Sequence, residues 1–312
     1  MDYARARMGG LLDKRLVVVI GKGGVGKSTV AAARGLAAAR SGRRAIVAEV
    51  AAREDVPPIL GAAVDHDAAG AERELLPGLH HLSVDPDRAL GEYLHQHLPL
   101  GALASMMQHS DAFLLFAAAT PGMGELLSIG RVWELTRART GRRRRYDLVV
   151  LDAPATANGL ALLAAPRTFA AAARVGPIAH QGSEIRATLC DPARTGVVVV
   201  ATPEEMPVSE AIGLQRDLRR ELGRPADRAI MNAMLPQRFS AGDAAALRGA
   251  PDDPAVASAR WMQARGRVQR AQQARLRRAF GEVPCTSLPF LFGARQGLQQ
   301  MERLAAIVGS AR

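Results

Sequence analysis

The chain has 312 residues, of which 48% are hydrophobic, with a mean hydropathy of −0.01 and a net charge of +11. It contains no uncharged apolar run of the roughly eighteen residues that span a bilayer, and residues 1–7 lack the apolar core of a secretory signal, so we expect a soluble, cytoplasmic protein. Such a positive charge is typical of proteins that bind nucleic acid or acidic membranes, but it is almost all arginine in an alanine-rich chain, and we favour a coding bias as its origin.

The first predicted element is a buried strand over residues 16–20, which are apolar and mostly β-branched. A loop follows that fits the phosphate-binding pattern G-x-x-x-x-G-K-[ST] at every fixed position. Residues 30–40 then form a helix that ends before Gly42. The loop residues that we predict to bind the nucleotide are Gly21, Lys22, Gly23, Gly24, Val25, Gly26, Lys27, Ser28 and Thr29.

This order of strand, loop and helix is the one that a triphosphate site requires. The glycines let the backbone curl until successive N–H groups face inward, and the helix adds its positive end. We therefore predict that Lys27 reaches the β- and γ-phosphates of ATP and that the Ser28 hydroxyl binds Mg²⁺. Lys22 is a second lysine that an ordinary phosphate loop does not need.

Residues 45–51 are predicted to form the second strand, which completes a right-handed βαβ unit. Residues 52–58 read as a loop at the carboxyl end of that strand, where such sheets carry their chemistry. From residue 60 to 140, apolar positions recur at three- and four-residue spacing, and we predict a helical insert. Its methionines and leucines favour ordinary core packing over the alternative, an adaptable hydrophobic groove for a client.

The basic block at residues 142–145 is more typical of a solvated loop than of a binding site. Residues 146–152 then form a strand that delivers Asp152 to the magnesium shell, the pattern known as Walker B. Residues 152–160 are predicted to continue as a switch loop. Further strands follow at 196–201 and 228–234, with a helix between them that extends to about residue 222.

Asn232 lies at the carboxyl end of one of these strands, where its amide can pair with the adenine edge. Residues 237–282 form a second, arginine-rich helical segment within a single domain spanning 1–312. Its weak apolar stripe is predicted to rest on the domain. The stripe consists of Trp261, Ala264, Val268 and Ala271. A last strand at 284–290 and a closing helix at 297–308 complete the chain.

Several of these motifs together resemble the arsenite-pump and tail-anchored-protein-targeting ATPases, whose phosphate loop is a deviant Walker A. The chain is most similar to the bacterial branch described as anion-transporting ATPases, and the resemblance covers nearly its whole length. The supporting segments are residues 21–29, 152–156, 165–169 and 202–207, together with Asn232 and residues 288–290.

The resemblance implies an α/β fold with a doubly wound, mostly parallel sheet and an inserted helical subdomain. It implies ATP and Mg²⁺ as cofactors, with Lys22, Lys27 and Asp152 as catalytic residues. Asn232 and Pro289 would lie beside the base. Lys22 would cross to the nucleotide of a partner subunit, in a homodimer or in a heterodimer with a paralogous ATPase. Closing on ATP and opening after hydrolysis would move the helical insert.

Three departures from the family pattern bear on activity. Ala51 occupies the place of the acidic residue that positions the attacking water, with Glu49 two residues before it. The Gly-His of the second switch appears here as Ala157 and Asn158. The zinc-binding and arsenite-sensing cysteines are absent, since Cys190 and Cys285 lie far apart without a C-x-x-C pattern.

These observations favour an ATP-dependent dimeric switch whose hydrolysis is weak or depends on a partner, because the water-orienting group is missing. One alternative is the energising ATPase subunit of an anion or metalloid exporter. Another is a partition or positioning ATPase that binds DNA or a membrane. A hydrophobic client or membrane partner fits the helical insert, whereas we do not expect a nucleic-acid partner.

Overall fold

A computed structural model describes residues 10–64, 70–86, 88–89, 122–173, 177–251, 253–293 and 297–310. It contains an eight-stranded mixed sheet, of which all but one strand run parallel, with helices packed on both faces. The predicted class, an α/β fold with a doubly wound and mostly parallel sheet, is confirmed. Among the described helices, none is both long enough and apolar enough to cross a bilayer.

The strands are β1 (Leu16–Gly21), β2 (Ala45–Val50), β3 (Arg73–Leu76), β4 (Leu79–Val84), β5 (Arg139–Thr140), β6 (Arg143–Arg144), β7 (Leu148–Ala155), β8 (Thr195–Ala201), β9 (Arg228–Met234) and β10 (Cys285–Pro289). The helices are α1 (Lys27–Arg40), α2 (Val56–Ile59), α3 (Met123–Arg137), α4 (Thr156–Ala173), α5 (Pro177–Cys190), α6 (Glu205–Leu222), α7 (Ala241–Gly249), α8 (Pro254–Phe280) and α9 (Leu298–Ser310).

Strand β1 lies in the middle of the sheet, whose order is β10-β9-β8-β1-β7-β2-β4-β3. Among the described strands of this sheet, β3 alone is antiparallel, and it pairs with β4 at one edge. The chain leaves β1 toward β2 and β4 on one side, whereas β8, β9 and β10 lie on the other. Ligands of such sheets bind where the strand order reverses, outside the carboxyl ends. The fold therefore places the site at the end of β1.

The two faces of the sheet bury separate apolar cores because neighbouring residues of each strand point to opposite sides. On β1, Val18 and Ile20 face one core, while Val17 and Val19 face the other. Helices α1 and α9 cover the second core, and α3 to α6 with the end of α8 cover the first. Continuous apolar strands such as 16–20 are therefore buried on both faces.

The glycine inside α1 is explained by close packing of the helix on the sheet. A Cβ atom at Gly35 would lie 2.7 Å from Val47 Cγ2 and 2.8 Å from Leu79 Cδ1. Because Gly35→Ala would overpack this contact, we expect it to lower the free energy of unfolding by about 1–3 kcal/mol. Urea denaturation followed by circular dichroism measures this change.

Gly213→Ala on α6 is the matched control for that prediction. The closest atom to a Cβ there is the end of the Arg216 side chain, 4.0 Å away. Alanine favours a helix over glycine, so this variant should gain up to about 1 kcal/mol. Equal effects of the two substitutions would contradict the packing argument.

Four predicted elements differ from the structure. The basic block at 142–145, predicted as a solvated loop, is exposed but contains the strand Arg143–Arg144. Within 52–58, predicted as a loop, α2 begins at Val56. Within 60–140, predicted as helical, residues 73–76 and 79–84 are strands, because β4 pairs with β2 and this long-range contact overrides a spacing that also fits a helix. Residues 152–160 are not a loop, since β7 continues to Ala155 and α4 begins at the next residue.

The rest of the predicted insert is described in part. Helix α3 lies within it, whereas residues 90–121, which include several of the methionines and phenylalanines, lie outside the described residues. Whether residues 60–140 act as one unit stays a prediction. Helices α7 and α8 lie within the second predicted helical segment, 237–282.

The apolar stripe of α8 does not rest on the domain, so this prediction is wrong. Trp261 is 60% exposed and Val268 is 55% exposed. The face that packs inward instead carries Gln269, whose side-chain oxygen accepts a hydrogen bond from Leu235 N at 2.8 Å, and the apolar Phe280. The hydrogen bond of Gln269 and the packing of the last turns of α8 determine which face of the helix points inward. The periodicity of apolar residues in the sequence contains neither contact.

Candidate nucleotide-binding site

The predicted phosphate loop joins β1 to α1 at the carboxyl edge of the sheet. Gly26 has φ 87°, in the left-handed region that glycine adopts without strain. A Cβ atom there would overlap the side-chain amide of Asn232, which packs against the loop. The loop is therefore closed against β9 by a contact that only glycine permits.

Lys27 is the first residue of α1, and its side chain lies inside the loop. Its Nζ donates a hydrogen bond to Lys22 O at 3.0 Å, and the residue is only 6% exposed. Burial lowers the pKa of Lys27, while the nearby Asp152 raises it. A buried ammonium group at the start of a helix is suited to bind an anion.

Ser28 and Asp152 lie together although 124 residues separate them in the chain. Ser28 Oγ donates a hydrogen bond to Asp152 Oδ2 at 2.6 Å. Strand β7 lies beside β1, with Asp152 in register with Val19, and this pairing brings the carboxylate to the loop. The structure thus brings together the two residues that were predicted to hold the metal.

The Asp152 carboxylate is fully buried, and burial raises its pKa to about 6 against the opposing effects of the Ser28 hydrogen bond and of Arg53. Its Oδ1 has no hydrogen-bond partner among the described residues. Mg²⁺ prefers carboxylate and hydroxyl oxygens. An orphaned buried carboxylate oxygen beside a serine hydroxyl therefore fits this ion.

Arg53 is a functional candidate that the sequence analysis missed. Its Nη2 donates hydrogen bonds to Asp152 Oδ2 at 3.1 Å and to Asp152 O at 3.2 Å. It follows Ala51 and Ala52, whose φ values of 67° and 52° are unusual for residues other than glycine. One feature of the sequence could have indicated this role. Arg53 lies three residues after the end of β2, on the loop at the carboxyl edge of the sheet.

Glu49 is next to Asp152 in the sheet, but its carboxylate is already occupied. It accepts hydrogen bonds from Asp55 N and Val56 N, both at 2.9 Å, and its Oε2 lies 2.8 Å from His81 Nε2. Glu49 and His81 are both buried. Glu49 therefore holds the loop after β2 in place, and Ala51 has no side-chain oxygen to replace it at the site.

Lys22 makes an ion pair with Glu210 on α6 of the same chain. The other oxygen of Glu210 accepts a hydrogen bond from Thr156 Oγ1 at 3.5 Å. Both side chains of the pair are about one-third exposed, at 31% and 35%. The structure thus places Lys22 at the rim of the site, and its action on a partner's nucleotide stays a prediction.

Asn232 and Pro289 lie at the carboxyl ends of the adjacent strands β9 and β10. Asn232 Nδ2 donates a hydrogen bond to Val25 O at 2.9 Å, so one of its two amide hydrogens is occupied. Its Oδ1 and its second amide hydrogen are the groups that can pair with a base. Phe290, the residue after β10, is 44% exposed. Base recognition by this group stays a prediction.

The chain matches a known protein family and several individual proteins. A family model described as "Anion-transporting ATPase" matches residues 14–181 and 171–309. The ATPase BagA of Mycobacterium tuberculosis is 31% identical over 250 residues, covering 78% of this chain and 72% of that protein. Protein Rv2184c of the same species is 28% identical over 337 residues, covering 96% of this chain and 75% of that protein.

A more distant relative is the arsenical pump-driving ATPase of Acidiphilium multivorum. It is 25% identical over 244 residues, which cover 72% of this chain but 40% of that longer protein. The first match of the family model contains the phosphate loop and Asp152, and the second contains Asn232 and Pro289. The matches therefore extend over every residue of the candidate site.

Proposed function

The chain belongs to the anion-transporting ATPase family, and we propose that it is a Mg²⁺-dependent ATP switch that works as a dimer and hydrolyses ATP slowly or only with a partner. ATP hydrolysis is the activity of this family. The observation that carries the proposal is the convergence of Lys27, Ser28 and Asp152 at one edge of the sheet, beside a loop that lacks an acidic residue at position 51.

Each residue has a distinct part in nucleotide binding. The loop N–H groups and Lys27 hold the β- and γ-phosphates, because a buried cation and aligned dipoles favour an anion. Ser28 and Asp152 hold Mg²⁺, and Asn232 with Pro289 receives the adenine. Mg²⁺, when bound, neutralises charge on the β- and γ-phosphates.

Slow turnover follows from what surrounds the attacking water. Hydrolysis needs a group that orients this water, and such groups contribute about 10²–10⁴-fold to the rate. Ala51 cannot do so, and the Glu49 carboxylate is bound to Asp55, Val56 and His81. In addition, Arg53 is bound to one oxygen of the Asp152 carboxylate, Oδ2, and competes with Mg²⁺ for it.

Lys22 is the residue from which we infer a dimer. In a homodimer, or in a heterodimer with a paralogous ATPase, its ammonium group would neutralise the partner's transferring phosphoryl group. To reach it, Lys22 must first release Glu210. The ion pair within one chain therefore competes with the contact between chains.

Glu210→Gln should increase the fraction of dimer in the presence of ATP and Mg²⁺, because Lys22 loses its partner within the chain. A surface ion pair contributes about 0.2–1 kcal/mol, so the dimer dissociation constant should fall by up to about fivefold. Sedimentation velocity over a range of protein concentrations measures this constant.

Glu204→Gln is the matched control, because Glu204 forms a comparable exposed ion pair with Arg265, at 2.9 Å. It should leave the dimer dissociation constant unchanged. An increase in dimer with both variants would indicate a general effect of charge, and the competition between the two contacts of Lys22 would be refuted.

The proposed function is tested by measuring ATP binding and turnover with the purified protein, alone and with a paralogous ATPase. We expect tight Mg²⁺-dependent binding with turnover well below the usual range of about 1–10³ s⁻¹ for enzymes. Brisk turnover by the protein alone would refute the weak site, and absence of ATP binding would refute the switch.

A further inference from the structure

A second cationic site lies at the edge of the sheet opposite the nucleotide site. It is a cavity of about 640 Å³ between α3, α5 and the ribbon β5–β6. Arg15 and Arg194 belong to it and directly precede β1 and β8, so the six residues of β1 separate it from the phosphate loop by roughly 20 Å. We call this cavity the arginine pocket. Its charged lining consists of Arg15, Arg137, Arg139, Arg144, Arg194 and Glu184.

Two of these arginines face each other, and neither has a counter-ion among the residues that the structure describes. Arg139 and Arg144 are directly opposite in the β5–β6 ribbon, so their side chains lie on the same face. Neither side chain has an ion-pair or hydrogen-bond partner within the described part of the chain. Like charges directly opposite each other in a ribbon are destabilising. The two guanidinium groups therefore repel each other, and a bound anion would relieve this repulsion.

Arg15 provides a fixed guanidinium group in the same pocket. It donates hydrogen bonds to the carbonyl oxygens of Asp147, Thr136 and Tyr146 at 2.6, 2.8 and 2.9 Å. Burial lowers the pKa of Arg15, the neighbouring Arg144 lowers it further, and the Asp147 carboxylate raises it. These three carbonyl contacts orient the guanidinium group without neutralising its charge.

The remaining groups leave the pocket strongly positive. Glu184 pairs with Arg137 at 2.8 Å, and Asp191 lies 3.5 Å from Arg194. Arg137 also stacks on the Trp133 ring, 4.4 Å from its centre. Among the lining residues, one carboxylate therefore faces five guanidinium groups.

We propose that the arginine pocket binds a small oligophosphate, a molecule with two or more linked phosphate groups, separately from the nucleotide at the phosphate loop. Guanidinium groups match phosphate oxygens in a bidentate geometry. More than one negative charge is needed to neutralise both unpaired arginines. The cavity is within the roughly 300–1,000 Å³ of small-molecule sites, and its concave shape suits a compact ligand better than an extended nucleic-acid backbone.

Arg144 and its neighbour Arg143 allow a matched test. Arg143 is opposite Thr140 in the ribbon, so its side chain is on the other face, and it does not line the pocket. The probe is inorganic tripolyphosphate, titrated calorimetrically at about 0.15 M salt into protein that carries Lys27→Ala to weaken binding at the phosphate loop.

We expect Arg144→Ala to raise the dissociation constant for tripolyphosphate at least about tenfold, because a charged hydrogen bond is lost. Arg143→Ala should change it by less than about twofold, since exposed charges off the site are screened. Tripolyphosphate should also raise the melting temperature of the Lys27→Ala protein, and Arg144→Ala should abolish that increase. The comparison of Arg144 with Arg143 does not depend on what the phosphate loop binds.

Three results would overturn the inference. The first is absence of tripolyphosphate binding to the Lys27→Ala protein. The second is an equal loss for the two arginine variants, which would indicate non-specific attraction to a basic surface. The third is displacement of tripolyphosphate by a single-stranded oligonucleotide that binds more tightly and with a steep salt dependence, which would assign the pocket to a nucleic acid.

Discussion

Lys27→Ala is expected to weaken ATP binding about 100-fold or more, a loss of roughly 2.7 kcal/mol. Lys27 is the buried cation of the loop, and in the structure its ammonium group has only a carbonyl oxygen as hydrogen-bond partner among the described residues. Charged hydrogen bonds to phosphate contribute about 1.5–3 kcal/mol each in such surroundings. Isothermal titration calorimetry with Mg²⁺-ATP measures the dissociation constant directly.

Lys14→Ala is the control for this experiment. Lys14 is also buried and also donates to a carbonyl oxygen, Pro192 O at 2.7 Å, but it precedes β1 at the opposite edge of the sheet. ATP affinity should be unchanged in this variant, and thermal denaturation establishes that both variants are folded. Full ATP affinity in Lys27→Ala would refute a triphosphate site in the loop.

Ala51→Asp should raise ATP turnover at least about tenfold, because it places a carboxylate where we propose that the attacking water is oriented. A fully placed group of this kind contributes about 10²–10⁴-fold, and a carboxylate introduced by mutation should recover a part of that. Aspartate tolerates the left-handed backbone of Ala51, with φ 67°, better than most residues do. Phosphate release under single-turnover conditions measures the rate of hydrolysis.

Ala52→Asp is the matched control for Ala51→Asp. Ala52 has the same unusual backbone region, with φ 52°, and the substitution adds the same charge one residue later. It should leave turnover unchanged. If neither variant accelerates hydrolysis, the missing acidic residue does not explain a slow site. If both accelerate it equally, the effect comes from charge or from loop mobility and not from the position of the carboxylate.

The sequence was most informative where local pattern and strand order decide the structure. The phosphate loop is a contiguous motif, and Asp152 follows from a buried strand that ends beside it. Because parallel strands present their carboxyl ends at one edge, the meeting of Ser28 and Asp152 could be expected from the order of elements alone.

The remaining features depend on contacts between distant segments. The ion pair of Lys22 with Glu210 joins residues 188 positions apart, and no spacing rule predicts it. Arg53 lies on a loop whose path is fixed by the hydrogen bonds of Glu49 to Asp55 and Val56. These contacts depend on side-chain direction after packing, which a linear pattern does not contain.

The exposed apolar stripe of α8 shows that a local sequence pattern can also predict the wrong buried face. Trp261 and Val268 have helical spacing, and such spacing normally marks the buried face. The helix is instead rotated so that Gln269 contacts the strand-end backbone at Leu235. The inward face of α8 therefore carries a partly buried hydrogen bond, and apolar periodicity alone would have predicted this face to be exposed.

The pairing of Arg53 with Asp152 means that the carboxylate proposed to hold the metal already has a counter-ion within the chain. A divalent cation that arrives alone would have to compete with that guanidinium group for Asp152 Oδ2, and would leave it with its longer contact to Asp55 Oδ2 at 3.4 Å. A cation that arrives with a nucleoside triphosphate brings negative charge that can receive the same guanidinium group. We therefore expect the metal–nucleotide complex to bind more readily than the free ion, because its phosphates can accept the guanidinium group that the metal displaces.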